Sequence, residues 1–119
     1  MTNKQFYFCY SEIDNYKDRD AYVSDIVLSS IWGDSQEDAI SESRVNEVSQ
    51  IWDAAHKSVK QIAADAGISQ RKLAERFCVP YRTMENWCSG KNACPAYVRL
   101  MMQELMGQIS REQQYPDMK

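Results

Sequence analysis

The sequence predicts a mainly α-helical protein. It reads as a bundle of short helices around a helix–turn–helix unit, preceded by an acidic extension with one short strand and joined to it by a long shared helix. Three observations predict this. Residues 68–90, ISQRKLAERFCVPYRTMENWCSG, read as two short helices broken by Cys78-Val79-Pro80. Apolar residues from Val45 to Ala66 recur at helical spacing without an evident stop. Charge is divided along the chain, which splits the 119 residues into an acidic half and a basic one. The implied organisation is an extension over 1–44, a helix–turn–helix domain with an extended first helix over 45–109, and a tail over 110–119.

In chain order, KQFYFCY at 4–10 is rich in aromatics and reads as a short strand, although Phe6, Tyr7 and Phe8 are consecutive and alternate poorly. A lone strand needs a partner, so this one is expected to pair across a dimer or to pack as an arm. From Arg19 to Trp32, Tyr22, Val23, Ile26, Val27 and Ile31 repeat at three and four, which predicts a helix over 19–32 closed by Gly33. Asp34 to Ile40 is an acidic connection and reads as a solvated loop.

The longest periodic pattern follows. Val45, Val48, Ile51, Trp52, Ala55, Val59, Ile62, Ala63 and Ala66 lie on one side of a single helix from Ser43 to Ala66, closed by Gly67. Its roughly 23 residues would span about 35 Å. Its first half is expected to bury Val45, Val48 and Ile51 against the strand and the 19–32 helix. His56 sits at the edge of the stripe and reads as a half-exposed structural histidine.

Ser69 is a good N-cap for the next helix, in which Leu73, Ala74 and Phe77 form an apolar stripe. Pro80 suits the start of the helix after it, since its fixed φ fits and its missing N–H is harmless there. In that helix Met84 and Trp87 point one way; Arg82, Asn86 and Ser89 point the other, with Glu85 beside them. Gly90 supplies a left-handed stop. A last helix from Pro95 to about Gln108 carries Tyr97, Val98, Leu100, Met101, Met102, Leu105 and Met106 over more than half its circumference. One neighbour cannot bury a face that wide, so a second surface is expected to meet it. Residues 110–119 show no periodicity and read as a frayed tail.

From about Ala54 to Met106 the chain resembles the helix–turn–helix of the phage-repressor, Cro and XRE family. The resemblance rests on Gln70, Ala74, Val79, Met84 and Trp87, with Gly90 and Pro95 at the exit. It implies a lambda-repressor-like fold. Two positions depart from the family pattern. Cys78 stands where glycine is usual, which places a side chain in a left-handed turn. Cys88 stands where an acidic residue is common, and the arginine that pairs with it in relatives is here Ala63; the resemblance therefore implies that a buried ion pair has become apolar packing.

With 44% hydrophobic residues the chain can bury a substantial core, and no run is long enough to span a bilayer. MTNKQFYFCY lacks a basic region followed by an apolar stretch, so no secretory signal is expected. Cys9, Cys78, Cys88 and Cys94 contain no Cys-x-x-Cys pair and suit neither a zinc site nor a disulfide framework. They read as reduced thiols of a cytoplasmic protein. No cofactor or metal is expected. One histidine, no glycine-rich phosphate loop and no catalytic carboxylate pair argue against an enzyme.

The net charge of −3 conceals a contrast. Residues 1–55 carry four Lys/Arg against eleven Asp/Glu, whereas residues 56–106 carry eight against four. The basic segment coincides with the two short helices, the distribution expected of a nucleic-acid binder. Arg71 and Lys72 lie in the first turn of a helix, where the macrodipole disfavours cations unless an anion joins them. Gln70 at the helix tip can bond a phosphate oxygen. Arg82 can bond guanine with two donors and Asn86 can do so for adenine, one turn apart on the outward face. The resemblance places base reading on Tyr81, Arg82 and Asn86, with Thr83 more peripheral. It places phosphate contacts on the loop at Lys91, and Ser89 joins Gln70, Arg71 and Lys72 in that set. Glu85 could accept from cytosine or pair with Arg82.

The expected function is a sequence-specific transcriptional regulator, prokaryotic or phage-derived, that binds double-stranded DNA as a homodimer, since one such domain offers few phosphate contacts. The alternative is an antitoxin or phage anti-defence protein. In that case the acidic half binds a protein partner and the helix–turn–helix represses its own operon.

Overall fold

The computed structural model describes residues 1–33 and 41–109. The acidic connection at 34–40 and the tail at 110–119 lie outside them. Among the described residues there are seven α-helices and no strand: α1 (Asn3–Ser11), α2 (Arg19–Val27), α3 (Glu42–Ala55), α4 (Val59–Ala66), α5 (Gln70–Phe77), α6 (Tyr81–Ser89) and α7 (Ala96–Leu105). The described residues fall into two compact units, 1–55 and 56–109.

The first unit corrects the expected strand at 4–10, which is helix α1. Its start is a reciprocal capping box. The Thr2 hydroxyl accepts from the Gln5 backbone N–H at 3.0 Å, and the Gln5 side-chain oxygen accepts from the Thr2 N–H at 2.9 Å. The Thr-x-x-Gln pattern is a helix-start signal, and Phe6, Cys9 and Ile13 repeat at helical spacing beneath the aromatic run. All three are buried, while Tyr7 is exposed. Helical pairing within one segment also removes the need for a strand partner.

The helix expected over 19–32 is shorter. α2 ends at Val27, and Ser30–Trp32 forms a separate 3-10 turn whose Ile31 N–H is capped by the Ser29 hydroxyl. Ser29 competes for the backbone as short polar side chains do, and the chain leaves the α conformation there. Gly33 closes the turn in the left-handed region, as the sequence suggests. The indole N–H of Trp32 donates to the Ile26 carbonyl at 2.8 Å, and the Arg44 guanidinium covers its ring at 4.5 Å.

α3 packs on α1 and α2, and Val48 and Ile51 are buried there as expected, whereas Val45 is only half-buried. Tyr22 organises this core. It is fully buried, its ring lies 5.0 Å from that of Trp52, and its hydroxyl donates to the Cys9 carbonyl at 2.7 Å. That bond satisfies a polar group that would otherwise cost roughly 1–3 kcal/mol to bury. Burial pushes the Cys9 thiol up to about 12 and raises the Tyr22 hydroxyl as well. Arg19 grips Asp53 with two donors, at 2.9 and 3.0 Å, fastening the start of α2 to the end of α3.

The single helix expected from Ser43 to Ala66 is instead two, α3 and α4, with His56–Ser58 between them. Ser58 is extended and its hydroxyl accepts from the Gln61 N–H at 3.1 Å, so α4 begins with its own N-cap. The residues around the break are held by side chains. The Lys57 carbonyl accepts from the Arg99 guanidinium at 2.8 Å, and the Lys57 ammonium meets Asp65 at 2.8 Å. The apolar period runs through the break because both helices bury a stripe. Periodicity alone could not reveal a cap lying inside it. Ser58-x-x-Gln61 is the local signal that could have.

The second unit is built from α4 to α7. Its core is Val59, Ile62, Ala63, Leu73, Ala74, Met84, Cys94 and Met102, ringed by half-buried side chains that include Phe77, Val79, Tyr81, Trp87 and Cys88. Gly67 is left-handed, and its amide together with that of Ile68 closes α4. α7 is shorter than expected, Ala96–Leu105, but its apolar girth is as wide as its sequence implies. Met102 is buried on the inner side, whereas Tyr97, Met101 and Leu105 are 64%, 51% and 66% exposed. Spaced by four, these three form one outward stripe.

Candidate nucleic-acid interface

Two eight- to nine-residue helices and a three-residue connection make the site: α5, then Cys78 to Pro80, then α6. α5 starts at Ser69, whose hydroxyl accepts from the Lys72 N–H at 3.1 Å. It ends at Cys78, the one non-glycine residue with positive φ among those described, at φ 56 and ψ 39. The Val79 amide returns to the Ala74 carbonyl at 2.9 Å and turns the chain into α6. Pro80 stands just before the first helical residue, with φ −56. The left-handed cysteine anticipated from the sequence is therefore present.

Met84 is fully buried and anchors α6, while Trp87 is half-buried against the same core. Ala63 and Cys88, where the ion pair was expected to be replaced, both pack on that cluster, and the Cys88 sulfur lies 3.9 Å from that of Met84. Burial raises the Cys88 thiol, more than Lys60 lowers it.

The outward residues can then be placed. Gln70 opens α5 and is half-buried; Arg71 and Lys72 follow it and are exposed. Arg71 is not free in water: its guanidinium lies 4.2 Å over the ring of Tyr81, the first residue of α6. Tyr81 is half-buried between that cation and the core. Arg82 is exposed, its side chain 83% so, and its Nε is 3.6 Å from the Glu85 carboxylate. Of the two roles considered for Glu85, pairing with Arg82 is the one the geometry displays. Thr83 and Asn86 are half-buried on α6.

The exit from α6 is a small hydrogen-bonded knot. The Ser89 hydroxyl donates to the Asn86 carbonyl at 3.3 Å and accepts from the Lys91 amide at 3.4 Å. The Asn92 amide also reaches the Asn86 carbonyl, at 3.2 Å. The Ser89 side chain thus shapes the loop, and the Lys91 side chain is exposed beside it.

Sequence reasoning overlooked one cation here. Arg76 stands one turn beyond Lys72 on α5, exposed, with its Nη2 3.4 Å from the Leu105 carbonyl. The Lys72 to Arg76 spacing of four was the available signal. Two of the basic unit's other charges are committed internally, Lys57 to Asp65 and Arg99 to the Lys57 and Cys94 carbonyls. Apart from the exposed Lys60 on α4, the outward positive charge is thereby concentrated on α5, α6 and the loop at Lys91.

No protein-family model, curated protein or solved structure matches this chain. Among the described residues no helix is long and apolar enough to cross a membrane. The arrangement offers a Ser69-capped helix start that carries two cations, a presented helix with Arg82 and Asn86 on its outward side, and a further cation in the loop that follows.

Proposed function

We propose that the chain is a sequence-specific DNA-binding regulator of the phage-repressor type, working in the cytoplasm as a homodimer and reading the major groove with α6. One observation carries the reading. α6 buries Met84 on one side and turns Arg82 and Asn86 to the other, directly after a helix whose first turn bears Arg71 and Lys72. A helix fixed by its apolar side and presented by its polar side is suited to groove entry. Gln70, Arg71, Lys72 and Lys91 then meet phosphates. Tyr81, Arg82, Thr83 and Asn86 face base edges, and Ser89 sets the loop. The outward stripe on α7 at Tyr97 and Met101 is the proposed dimer face, and a two-fold operator requires the two reading helices about 34 Å apart.

The test is a binding titration on a selected duplex and a scrambled one at several salt concentrations. Arg82→Ala and Asn86→Ala each lose about 1–3 kcal/mol on the selected site and little on the scrambled one. Arg71→Ala and Lys91→Ala weaken both and each flatten the salt dependence by about one unit. Equal losses on both duplexes for Arg82→Ala would make it a phosphate clamp. No effect from any of the four would remove the reading.

A second reading has support of its own. The acidic unit exposes Tyr7 and Leu28, 75% and 63%, among its carboxylates. Such apolar side chains suit a protein partner, as in an antitoxin or anti-defence protein that represses its own operon. Retention of a defined partner by the full chain, lost on Leu28→Glu but unaffected by Arg82→Ala, would favour it.

A further inference from the structure

A surface groove of about 470 Å³ lies on the second unit, lined by Ala66, Ile68, Lys72, Arg76, Leu105 and Met106. Its walls are chemically unlike. One carries two cations a single turn apart on α5, and the other is the apolar end of α7. Neither Lys72 nor Arg76 has an ion pair among the described residues. Arg76 directs one nitrogen to the Leu105 carbonyl, at 3.4 Å, and its guanidinium lies 5.6 Å from the Phe77 ring centre, but the side chain is exposed and makes no ion pair among the described residues. Leu105, two-thirds exposed, stands across from these charges beside the half-buried Ile68 and Met106.

We propose that this groove docks an acidic amphipathic helix of a partner protein, with apolar residues on Ile68, Leu105 and Met106 and carboxylates on Lys72 and Arg76. Three considerations select that occupant. Two like charges one turn apart repel each other, and a carboxylate between them reverses the sign. A nucleic-acid backbone would satisfy the cations but leave the apolar wall wet, so the ligand must be apolar on one side. The groove runs between helices and offers no strand edge, which leaves a helix laid into it, with anchors recurring at three and four, as the fitting recognition mode. DNA plays no part in this docking, although Lys72 belongs to both surfaces and a docked helix would withdraw it from phosphate.

The experiment uses the full chain without DNA. The probe is a fluorescent helical peptide with leucines along one face and glutamates flanking them, compared with a peptide in which each glutamate is lysine. Fluorescence anisotropy is read at low and high salt. The acidic peptide should bind at least about tenfold more tightly than the basic one, and salt should narrow the gap. The double variant Lys72→Glu, Arg76→Glu should reverse the preference, and Leu105→Ser should weaken the acidic peptide at both salt concentrations. All three residues are on the surface, and unchanged circular dichroism melting confirms that each variant is folded. Equal binding of the two peptides, an unreversed preference, or indifference to Leu105→Ser would each overturn the proposal. Since no DNA is present, failure here leaves the DNA reading standing, and failure of the DNA titration leaves this one standing.

Discussion

The guanidinium of Arg71 lies 4.2 Å over the ring of Tyr81, so a cation from the start of α5 is held by the first residue of α6. The contact spans the turn between the two helices. It fixes the direction of a side chain that, in the DNA reading, must meet phosphate.

This relationship is measurable without DNA. A thermodynamic cycle of Arg71→Ala, Tyr81→Ala and the double variant should return a coupling of about 0.5–1 kcal/mol, the range for a cation–π pair near the surface. Tyr81→Phe should retain it, because the ring face remains. Zero coupling in urea denaturation would mean that the two side chains part in solution.

The anchor of α6 is Met84 rather than Trp87. Met84 is fully buried in the second unit's core, whereas Trp87 is half-buried at its edge. Met84→Ala should therefore cost about 2–5 kcal/mol, a large share of what holds a small domain together. Trp87→Ala should cost less. A Met84→Ala variant that melts with the parent would show that Met84 does not face the core.

Cys78 occupies a left-handed conformation that glycine adopts without a side-chain clash. Cys78→Gly should stabilise the chain by about 1 kcal/mol, the relieved strain exceeding the extra freedom gained by the unfolded chain. A fall in melting temperature would show that the thiol contributes more than its backbone angle costs.

Alkaline pH should weaken the first unit. The folded Cys9 thiol is raised from 9.0 to about 12 by burial, and Tyr22 is raised by the same cause. The native state therefore holds protons that the unfolded chain releases. The sign follows from linkage: their stabilisation is complete below about pH 9 and is lost as pH climbs towards 12. Denaturant midpoints measured from pH 8 upward should decline, and Cys9→Ala should decline less steeply. A flat profile would place Cys9 in contact with water.

Much of this architecture is legible in the residues. Ser69, Pro80 and Gly90 mark the limits of α5 and α6 because caps and stops act within a few bonds, and the structure puts each where its chemistry suits. The misreadings share one origin: composition or apolar period over a run of residues outweighed local capping. At 4–10 the aromatic run suggested a strand, while Thr2 and Gln5 already encoded a helix start. At Ser58 an unbroken apolar stripe hid a second start. Both boundaries were written in the sequence as Ser/Thr-x-x-Gln.

Other features have no local signature. That Arg71 lies on Tyr81 and that Lys72 and Arg76 share a groove with Leu105 depend on how helices distant in sequence or across a turn come to face one another. The sequence by itself determined a helical chain of acidic and basic halves and the residue types on each helix face, because periodicity, caps and charge are local properties. Only the tertiary structure decided which outward cations remain available and which are consumed internally, as Lys57 is by Asp65 and Arg99 by the Lys57 carbonyl. Pairing of that kind depends on distance in space, which local pattern does not encode.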